Sequence, residues 1–147
     1  MTDIAWNLVA DVGGTNARFA VAECDSGELI ASHQYSVAEF DHFNDAISQF
    51  LSVVLELGDH QPLPRAVCLA LACPVTGDKV QFTNSPWQLD RKEISKLLGD
   101  IEVELINDFA AVGYGIPGLS ADEWIDIRTG VEYPYAPIVV VGPGTGL

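Results

Sequence analysis

A short segment near the N-terminus concentrates residue types that can bind a phosphorylated ligand. It reads Asp11, Val12, Gly13, Gly14, Thr15, Asn16, Ala17 and Arg18. Glycine adopts a positive φ at little cost and lets another group approach the backbone, and successive N–H groups in such a turn can converge on one anion. The threonine and the asparagine add side-chain donors, and Asp11 can hold a cation that screens phosphate charge. The segment therefore predicts a phosphate loop with positive φ at its glycines.

The same segment also fits a purely structural β-hairpin, in which the glycines form the turn and the Asp and Asn are ordinary turn formers. The two best-known phosphate motifs do not fit. No Gly-x-x-x-x-Gly-Lys-Ser/Thr occurs in the sequence, and Gly13-Gly14 does not match Gly-x-Gly-x-x-Gly. The residues that follow, Phe19 to Ala22, look like a strand rather than the helix of a Rossmann turn. Both interpretations of the turn stay open at this point.

A second candidate lies at Asn107 and Asp108, where a predicted strand gives way to a predicted helix. The structural interpretation is that Asp108 caps the helix N-terminus. The functional interpretation is that this carboxylate accepts a proton from a substrate hydroxyl while the neighbouring amide binds the same substrate. Ligands of α/β proteins usually bind where strands end and loops begin, so the position favours a site.

Length and charge restrict the class of protein. The chain has 147 residues, 48% of them hydrophobic, which is typical of a globular domain with a real core. Its net charge is −14, from 7 Lys and Arg against 21 Asp and Glu. Such a surface repels nucleic acid and anionic lipid, so neither is an expected partner. We expect any nucleotide to arrive with Mg²⁺ and to meet backbone donors.

Cysteine and histidine usage points to a reduced, cytoplasmic protein. The cysteines are Cys24, Cys68 and Cys73, and the histidines are His33, His42 and His60. An odd number of cysteines in apolar or strand-like settings argues against a disulfide framework. No Cys-x-x-Cys occurs and the histidines are scattered, so a zinc site is not expected. The N-terminus lacks a signal-peptide pattern, and no apolar run is long enough to cross a bilayer.

Apolar patterning predicts the elements that must position these residues. Predicted strands cover Leu8–Ala10, Arg18–Glu23, Leu29–Ser36, Val67–Ala72, Ile101–Leu105, Trp124–Arg128 and Ile138–Val141. The first three form an antiparallel meander, and both Val67–Ala72 and Ile138–Val141 have the apolar character of strands buried on both faces. A helix with one apolar face starts at an Asp41 cap and stops at Gly58. Two shorter helices follow Asp90 and Asp108.

Five motifs occur in one order along nearly the whole chain, and together they resemble the bacterial glucokinase family. They occupy Asp11–Arg18, Cys73–Asp78, Thr83–Trp87, Ile106–Val112 and Gly142–Leu147. The resemblance implies an α/β fold of the actin-like ATPase (ribonuclease H-like) type, with a mixed sheet, an N-terminal antiparallel three-strand meander and flanking helices. It implies a small N-terminal domain at 1–117 and the beginning of a larger second domain at 118–147. It also implies transfer of the γ-phosphoryl group of ATP to the 6-hydroxyl of glucose.

The resemblance also implies roles for individual residues. Asp108 is the general base, and Asn107 and Asn84 bind the sugar. Asp11 approaches Mg²⁺, and the first phosphate loop comprises Gly13, Gly14, Thr15 and Asn16. The second phosphate loop includes Gly142, Gly144 and Thr145. Trp87 matches a loop near the sugar, although a Trp under a loop more often serves packing.

Family members continue well beyond Leu147, and an end on a strand and glycine loop suggests a truncated protein. We therefore expect residues 1–147 alone to fold, to be catalytically inactive, and to form a homodimer or otherwise self-associate. Two further interpretations are a sugar- or nucleotide-binding regulator of the same fold and a structural module whose Asp residues are turn and cap formers. A kinase for another hexose, such as mannose or fructose, also fits the motifs.

Overall fold

The computed structural model describes residues 4–131 and 133–143. The strands are β1 (Trp6–Val12), β2 (Asn16–Glu23), β3 (Leu29–Ser36), β4 (Ala66–Leu71), β5 (Lys79–Gln81), β6 (Gln88–Asp90) and β7 (Glu102–Asn107). The helices are α1 (Phe43–Leu57), α2 (Arg91–Leu97) and α3 (Asp108–Gly115). The chain divides into two compact units, one ending at Asp108 and the other beginning at Phe109. The domain boundary expected at 117 stays a prediction.

The N-terminal unit is built on a five-stranded mixed sheet with the strand order β3-β2-β1-β4-β7. β1, β2 and β3 form the antiparallel meander that the sequence predicts, with Val12 opposite Ala17 at the end of the first hairpin. β4 lies parallel to β1 and β7 lies parallel to β4. The three parallel strands therefore end at the same edge of the sheet. β5 and β6 pair as a separate antiparallel ribbon.

The core covers one face of this sheet. Alternate β1 residues such as Leu8 and Val12 are buried, and so are Phe43, Ile47 and Phe50 of α1. The Phe19 ring stacks on those of Phe43 and Phe50, with centroids 5.8 and 5.6 Å away. The helical period of the apolar residues thus predicted the buried face of α1 correctly.

Of the two predicted boundaries of α1, only the C-terminal one is confirmed. Gly58 ends the helix with φ 77°, the left-handed conformation that favours glycine. The N-cap is His42 rather than the expected Asp41, and the His42 side chain accepts no capping hydrogen bond from the helix backbone. At α2 the expected cap is present, because the Asp90 carboxylate accepts from the backbone N–H of Lys92 at 2.9 Å.

β4 is buried on one face only, which corrects the expectation of a strand covered on both. Val67, Leu69 and Leu71 are buried, whereas Cys68 and Ala70 between them are only half-buried. The buried residues of β4 pair in register with the buried residues of β1 and β7, so they belong to the single core face. Composition alone did not reveal this, because Cys and Ala are among the residue types most often buried, so Cys68 and Ala70 resemble core residues in the sequence.

β7 lies at one edge of the sheet and alternates between charged and apolar residues. Val103 and Leu105 are buried in the core, and Glu102 and Glu104, each directly before one of them, are exposed. The strand agrees with the alternation seen in the sequence. Its last residue, Asn107, is half-buried and leads directly into α3.

The C-terminal unit contains α3 from Phe109 onward and two 3-10 turns, at Ile116–Gly118 and Ala121–Glu123. The strands expected at Trp124–Arg128 and Ile138–Val141 do not form. A strand needs a neighbour to pair its backbone groups, and the described residues supply none to either segment. In the described part of the chain, no helix is both long and apolar enough to cross a membrane.

Candidate functional site at the carboxyl edge of the sheet

Three chain segments meet where the parallel strands β1, β4 and β7 end. The glycine turn follows β1, Ala72 follows β4, and Asn107 closes β7. The Ala72 N–H donates to the Val12 carbonyl at 3.0 Å, which ties the end of β4 to the end of β1. The carboxyl edge of parallel strands is the usual ligand position in α/β folds, so the predicted site residues after β1 and β7 share a common edge.

Two backbone hydrogen bonds hold the glycine turn, one within the turn and one from Val37. The Gly13 N–H donates to the Asn16 carbonyl at 2.9 Å, and the Val37 N–H donates to the Thr15 carbonyl at 2.8 Å. Neither Gly13 nor Gly14 has a positive φ, since the glycines with φ in that range in the described chain are Gly27, Gly58 and Gly99. The expectation of positive φ in this turn was therefore wrong.

Close approach of another backbone explains Gly14 instead. A Cβ placed on Gly14 would lie 3.0 Å from the Asn84 carbonyl oxygen and 3.2 Å from the Asn84 Cβ. Only glycine lets the turn and the Asn84 loop come this close. A Cβ on Gly13 would meet the Asn16 oxygen at 3.5 Å, an ordinary contact. The two neighbouring glycines thus have different structural requirements.

A cavity of about 210 Å³ lies between the turn and this loop. Its lining residues are Gly14, Thr15, Ala72, Phe82, Thr83 and Asn84. Their hydroxyl, amide and backbone groups can hydrogen-bond sugar hydroxyls or phosphate oxygens. Pockets for whole small molecules usually measure about 300–1,000 Å³, so this cavity suits one chemical group of a larger ligand.

The Asn107 side chain is held at the end of β4. Its Nδ2 donates to the Asp108 Oδ1 at 2.9 Å, to the Cys73 carbonyl at 3.3 Å and to the Leu71 carbonyl at 3.5 Å. The resemblance assigned Asn107 and Asp108 to the site, but these two carbonyls were not identified from the sequence. Their position directly after a predicted buried strand, at the expected ligand edge, was the available signal.

Cys73 lies close enough to Asn107 and Asp108 for the charge of Asp108 to affect the pKa of its thiol. Burial, and to a smaller degree the negative charge of Asp108, raises the pKa of the Cys73 thiol above its ordinary value. The thiol is therefore protonated at neutral pH and acts as a small apolar residue beside the carboxylate. Asp108 is the first residue of α3, where the helix dipole favours a negative charge.

Asp11 is exposed near the end of β1, directly opposite Arg18 on β2. Arg18 directs its guanidinium to the Gln34 Oε1 at 3.0 Å. Within the described ranges, no cluster of three or more His, Cys, Asp or Glu side chains could hold a metal ion. Mg²⁺ commonly binds one or two carboxylates and completes its shell with water and substrate phosphates. Asp11 fits the single carboxylate of such a set.

The remaining predicted residues lie elsewhere. Trp87 is buried, donates from Nε1 to the Phe40 carbonyl at 3.1 Å, and contacts the Phe43 ring edge-on. Its role is packing beneath the Asn84 loop. Gly142 is exposed in the C-terminal unit. Gly144 and Thr145 lie outside the described residues.

Comparison with known proteins gives a consistent result. A family model described as Glucokinase matches residues 8–147. The glucokinase of Cronobacter sakazakii is 41% identical over 140 residues, and that of Yersinia pestis is 40% identical over the same length. Each alignment covers 95% of this chain and 42% of the relative. The chain therefore spans less than half the length of these curated relatives.

Solved structures agree with the fold. The glucokinase of an Antarctic psychrotroph superposes with a TM-score of 0.73 at 31% identity, over 90% of this chain and 41% of that one. The glucokinase of Balamuthia mandrillaris, solved in complex with glucose, gives a TM-score of 0.61 at 25% identity, over 82% of this chain and 34% of that one. The mixed sheet with its antiparallel meander is that of the actin-like ATPase fold of sugar kinases. From its motifs, its fold and the family match, the chain belongs to the glucokinase family.

Proposed function

We propose that the protein containing this chain is a glucokinase, which transfers the γ-phosphoryl group of ATP to the 6-hydroxyl of glucose in the cytoplasm. One observation carries the proposal. Asp108 lies at the carboxyl edge of the sheet, where it accepts a hydrogen bond from Asn107, and the glycine turn lies at the same edge. Ala72 connects the two, because it lines the cavity beside the glycine turn and is next in sequence to Cys73, whose carbonyl accepts from Asn107. The match to the glucokinase family supports the same activity.

Asp108 is the proposed general base. Phosphoryl transfer has a loose transition state, so the enzyme mainly positions the hydroxyl and neutralises charge. The Asp108 carboxylate is the first residue of α3 and can accept the hydrogen bond of the attacking hydroxyl. Asn84 borders the cavity beside the glycine turn and, with Asn107, is the proposed sugar-binding amide.

The proposed nucleotide contacts belong to the two glycine segments. The first comprises Gly13, Gly14, Thr15 and Asn16, and the second includes Gly142, Gly144 and Thr145. Bound Mg²⁺, held by Asp11 with the phosphates and water, would neutralise phosphate charge. No lysine lies in the first segment, so the Thr15 hydroxyl and the backbone amides other than that of Gly13, which donates to the Asn16 carbonyl, supply the phosphate donors.

The decisive experiment is Asp108→Asn in the complete protein that contains this chain. We expect kcat for glucose phosphorylation to fall by about 10²-fold or more, since this is the usual loss when a general base is removed. The KM for glucose should change little, because the amide keeps a similar shape and a hydrogen-bonding oxygen.

Asp25→Asn, an equal change in an exposed turn, is the matched control. Turnover of Asp108→Asn within tenfold of the wild type would contradict the assignment of the base. If the wild type binds glucose without any turnover, the alternative of a sugar-binding regulator with the same fold would be favoured. Faster phosphorylation of mannose or fructose than of glucose would change the proposed substrate.

A further inference from the structure

We infer that Asp78 is a positioning residue for the Asn84 loop (residues 82–87), and that it acts through ion pairs at the base of the β5–β6 ribbon. Asp78 is the last residue of the Cys73–Asp78 motif and is not among the proposed site residues. The inference rests on the proposed function, in which Asn84 binds the sugar. Asp78 itself touches neither substrate in this inference.

The Asn84 loop is the tip of a short ribbon. β5 and β6 form a two-stranded sheet of three residue pairs, and the loop joins Gln81 to Gln88 at the last of these pairs. A two-stranded ribbon alone is only marginally stable in water. Contacts at its two ends therefore determine where the ribbon lies.

At the tip, the loop is packed closely against the rest of the N-terminal unit. Phe82 and Trp87 are buried, and the Trp87 Nε1 donates to the Phe40 carbonyl at 3.1 Å. Between them, the Asn84 carbonyl oxygen would lie 3.0 Å from a Cβ on Gly14. Because the loop and the glycine turn are this close, a small shift of the ribbon changes the shape of the cavity between them.

At the base, Asp78 joins the ribbon to the start of α2. Its carbonyl accepts from the Arg91 N–H at 2.8 Å. Its carboxylate lies 3.1 Å from the Lys92 Nζ and 3.7 Å from the Arg91 Nε. Beside it, the Lys79 Nζ lies 3.2 Å from the carboxylate of Asp90, which caps α2. Charges arranged in such a network contribute more than isolated surface pairs do.

The environment of Arg91 makes the Asp78 charge harder to replace. The Arg91 Nε is shielded from solvent, yet it has no hydrogen-bond acceptor among the described residues. Burying a charged group is costly unless an opposite charge compensates it. The Asp78 carboxylate is the compensating charge, so its loss should move Arg91 and, with it, the base of the ribbon.

Asp78→Asn in the complete protein keeps the size of the side chain and removes its charge. We expect the KM for glucose to rise by about threefold or more, with kcat within about twofold of the wild type, because the affected loop binds the sugar and does not carry the base. Lys92→Gln should have the same effect. Lys96→Gln, the same change one helical turn further along α2, is the control and should alter neither constant. A smaller rise for Asp78→Asn, or an equal rise for Lys96→Gln, would overturn the inference.

A double substitution and added salt distinguish ion pairing from a general loss of structure. Asp78→Asn combined with Lys92→Gln should raise the KM by less than the product of the two single effects, because both remove the same pair. Glucose is uncharged, so salt should act on its KM through the protein: NaCl should raise the wild-type KM towards that of Asp78→Asn. Multiplicative effects and a salt-independent KM would overturn the inference.

A second measurement tests the same link without catalysis. In ¹H–¹⁵N spectra of the 147-residue chain, Asp78→Asn and Lys92→Gln should shift the backbone amide signals of Gly14 and Asn84, whereas Lys96→Gln should leave both in place. Unchanged Gly14 and Asn84 signals would overturn the inference. Lys92 is 76% exposed, so Lys92→Gln decides the result if Asp78→Asn does not fold. Absence of glucose turnover by the wild type would instead refute the proposed function and leave the NMR result standing.

Discussion

Gly14 shows how a single hydrogen in place of a side chain sets the distance between two loops. Alanine at this position would place a Cβ 3.0 Å from the Asn84 carbonyl oxygen, so the turn or the Asn84 loop must shift. We expect Gly14→Ala to lower the free energy of unfolding by about 1–3 kcal/mol, the usual effect of overpacking. The measurement is urea unfolding of the 147-residue chain.

Gly13→Ala is the matched control, because its Cβ would be in ordinary contact at 3.5 Å. It should lower the free energy of unfolding by less than Gly14→Ala does. In the complete protein, Gly14→Ala should also raise the KM for ATP more than Gly13→Ala does. Equal effects of the two substitutions would show that the contact with Asn84 does not determine the choice of glycine.

The chemistry of the site residues was easier to predict than their contacts. Residue types and motif order pointed to Asp108 and Asn107, and the structure brings those two side chains together at 2.9 Å. Their roles in catalysis and sugar binding stay predictions. The carbonyls of Leu71 and Cys73 could not be assigned, because every residue has a carbonyl and only the strand register determines where it points. The wrong φ expected for Gly14 has a similar cause, since glycine serves both conformation and close approach.

At the scale of the elements, β4 ends beside Asp108. Cys68 within β4 and Cys73 just after it have different charged neighbours. Burial raises the pKa of the Cys68 thiol, with a smaller contribution from Glu104 on β7, and it raises that of Cys73 with a smaller contribution from Asp108. We expect Asp108→Asn to lower the pKa of Cys73 while leaving it above its ordinary value, because burial remains. Glu104→Gln should do the same for Cys68.

Each substitution is the control for the other, and NMR of ¹³Cβ-labelled cysteine in the 147-residue chain measures both titrations. A raised thiol pKa means that the folded state keeps its proton at a pH where the unfolded state has lost it. Each thiol therefore stabilises the fold below its ordinary pKa, and this contribution decreases as the pH rises through the raised value. Identical responses of both cysteines to Asp108→Asn would contradict the proximity of Cys73 to that carboxylate.

Elements were predicted well where periodicity was long and poorly where it was short. The fifteen residues of α1 form about four helical turns with apolar residues on the same face, so the sequence showed clearly which side is buried. β5 and β6 have three residues each and too little pattern to define a strand. Trp124–Arg128 and Ile138–Val141 have the composition of strands, but composition does not supply a neighbouring strand.

At the scale of the whole molecule, the C-terminal unit exposes apolar side chains that water disfavours. Ile125 is 88% exposed, Ile127 98% and Val139 82%. Patches of this kind commonly find a partner, and we propose that residues 1–147 alone self-associate through them. Light scattering should show an apparent mass above 15.8 kDa that increases with concentration.

Replacing Ile125, Ile127 and Val139 together by serine should return the apparent mass to that of one chain. The control is serine at Leu29, which is 61% exposed in the N-terminal unit and should change nothing. A wild-type chain that stays monomeric at high concentration would refute the proposal. Glucose phosphorylation by residues 1–147 alone would contradict the expectation that they are inactive.

The position of β7 also determines which kind of assembly the sheet can enter. An edge strand with free backbone groups is a template for another chain, and continued strand addition produces fibres. The exposed Glu102 and Glu104 side chains would face like charges from a second β7, because the same two carboxylates recur in every copy. With a net charge of −14 as well, the molecule is protected against fibre growth from this edge. Aggregates of the chain should therefore remain amorphous and fail to bind thioflavin T.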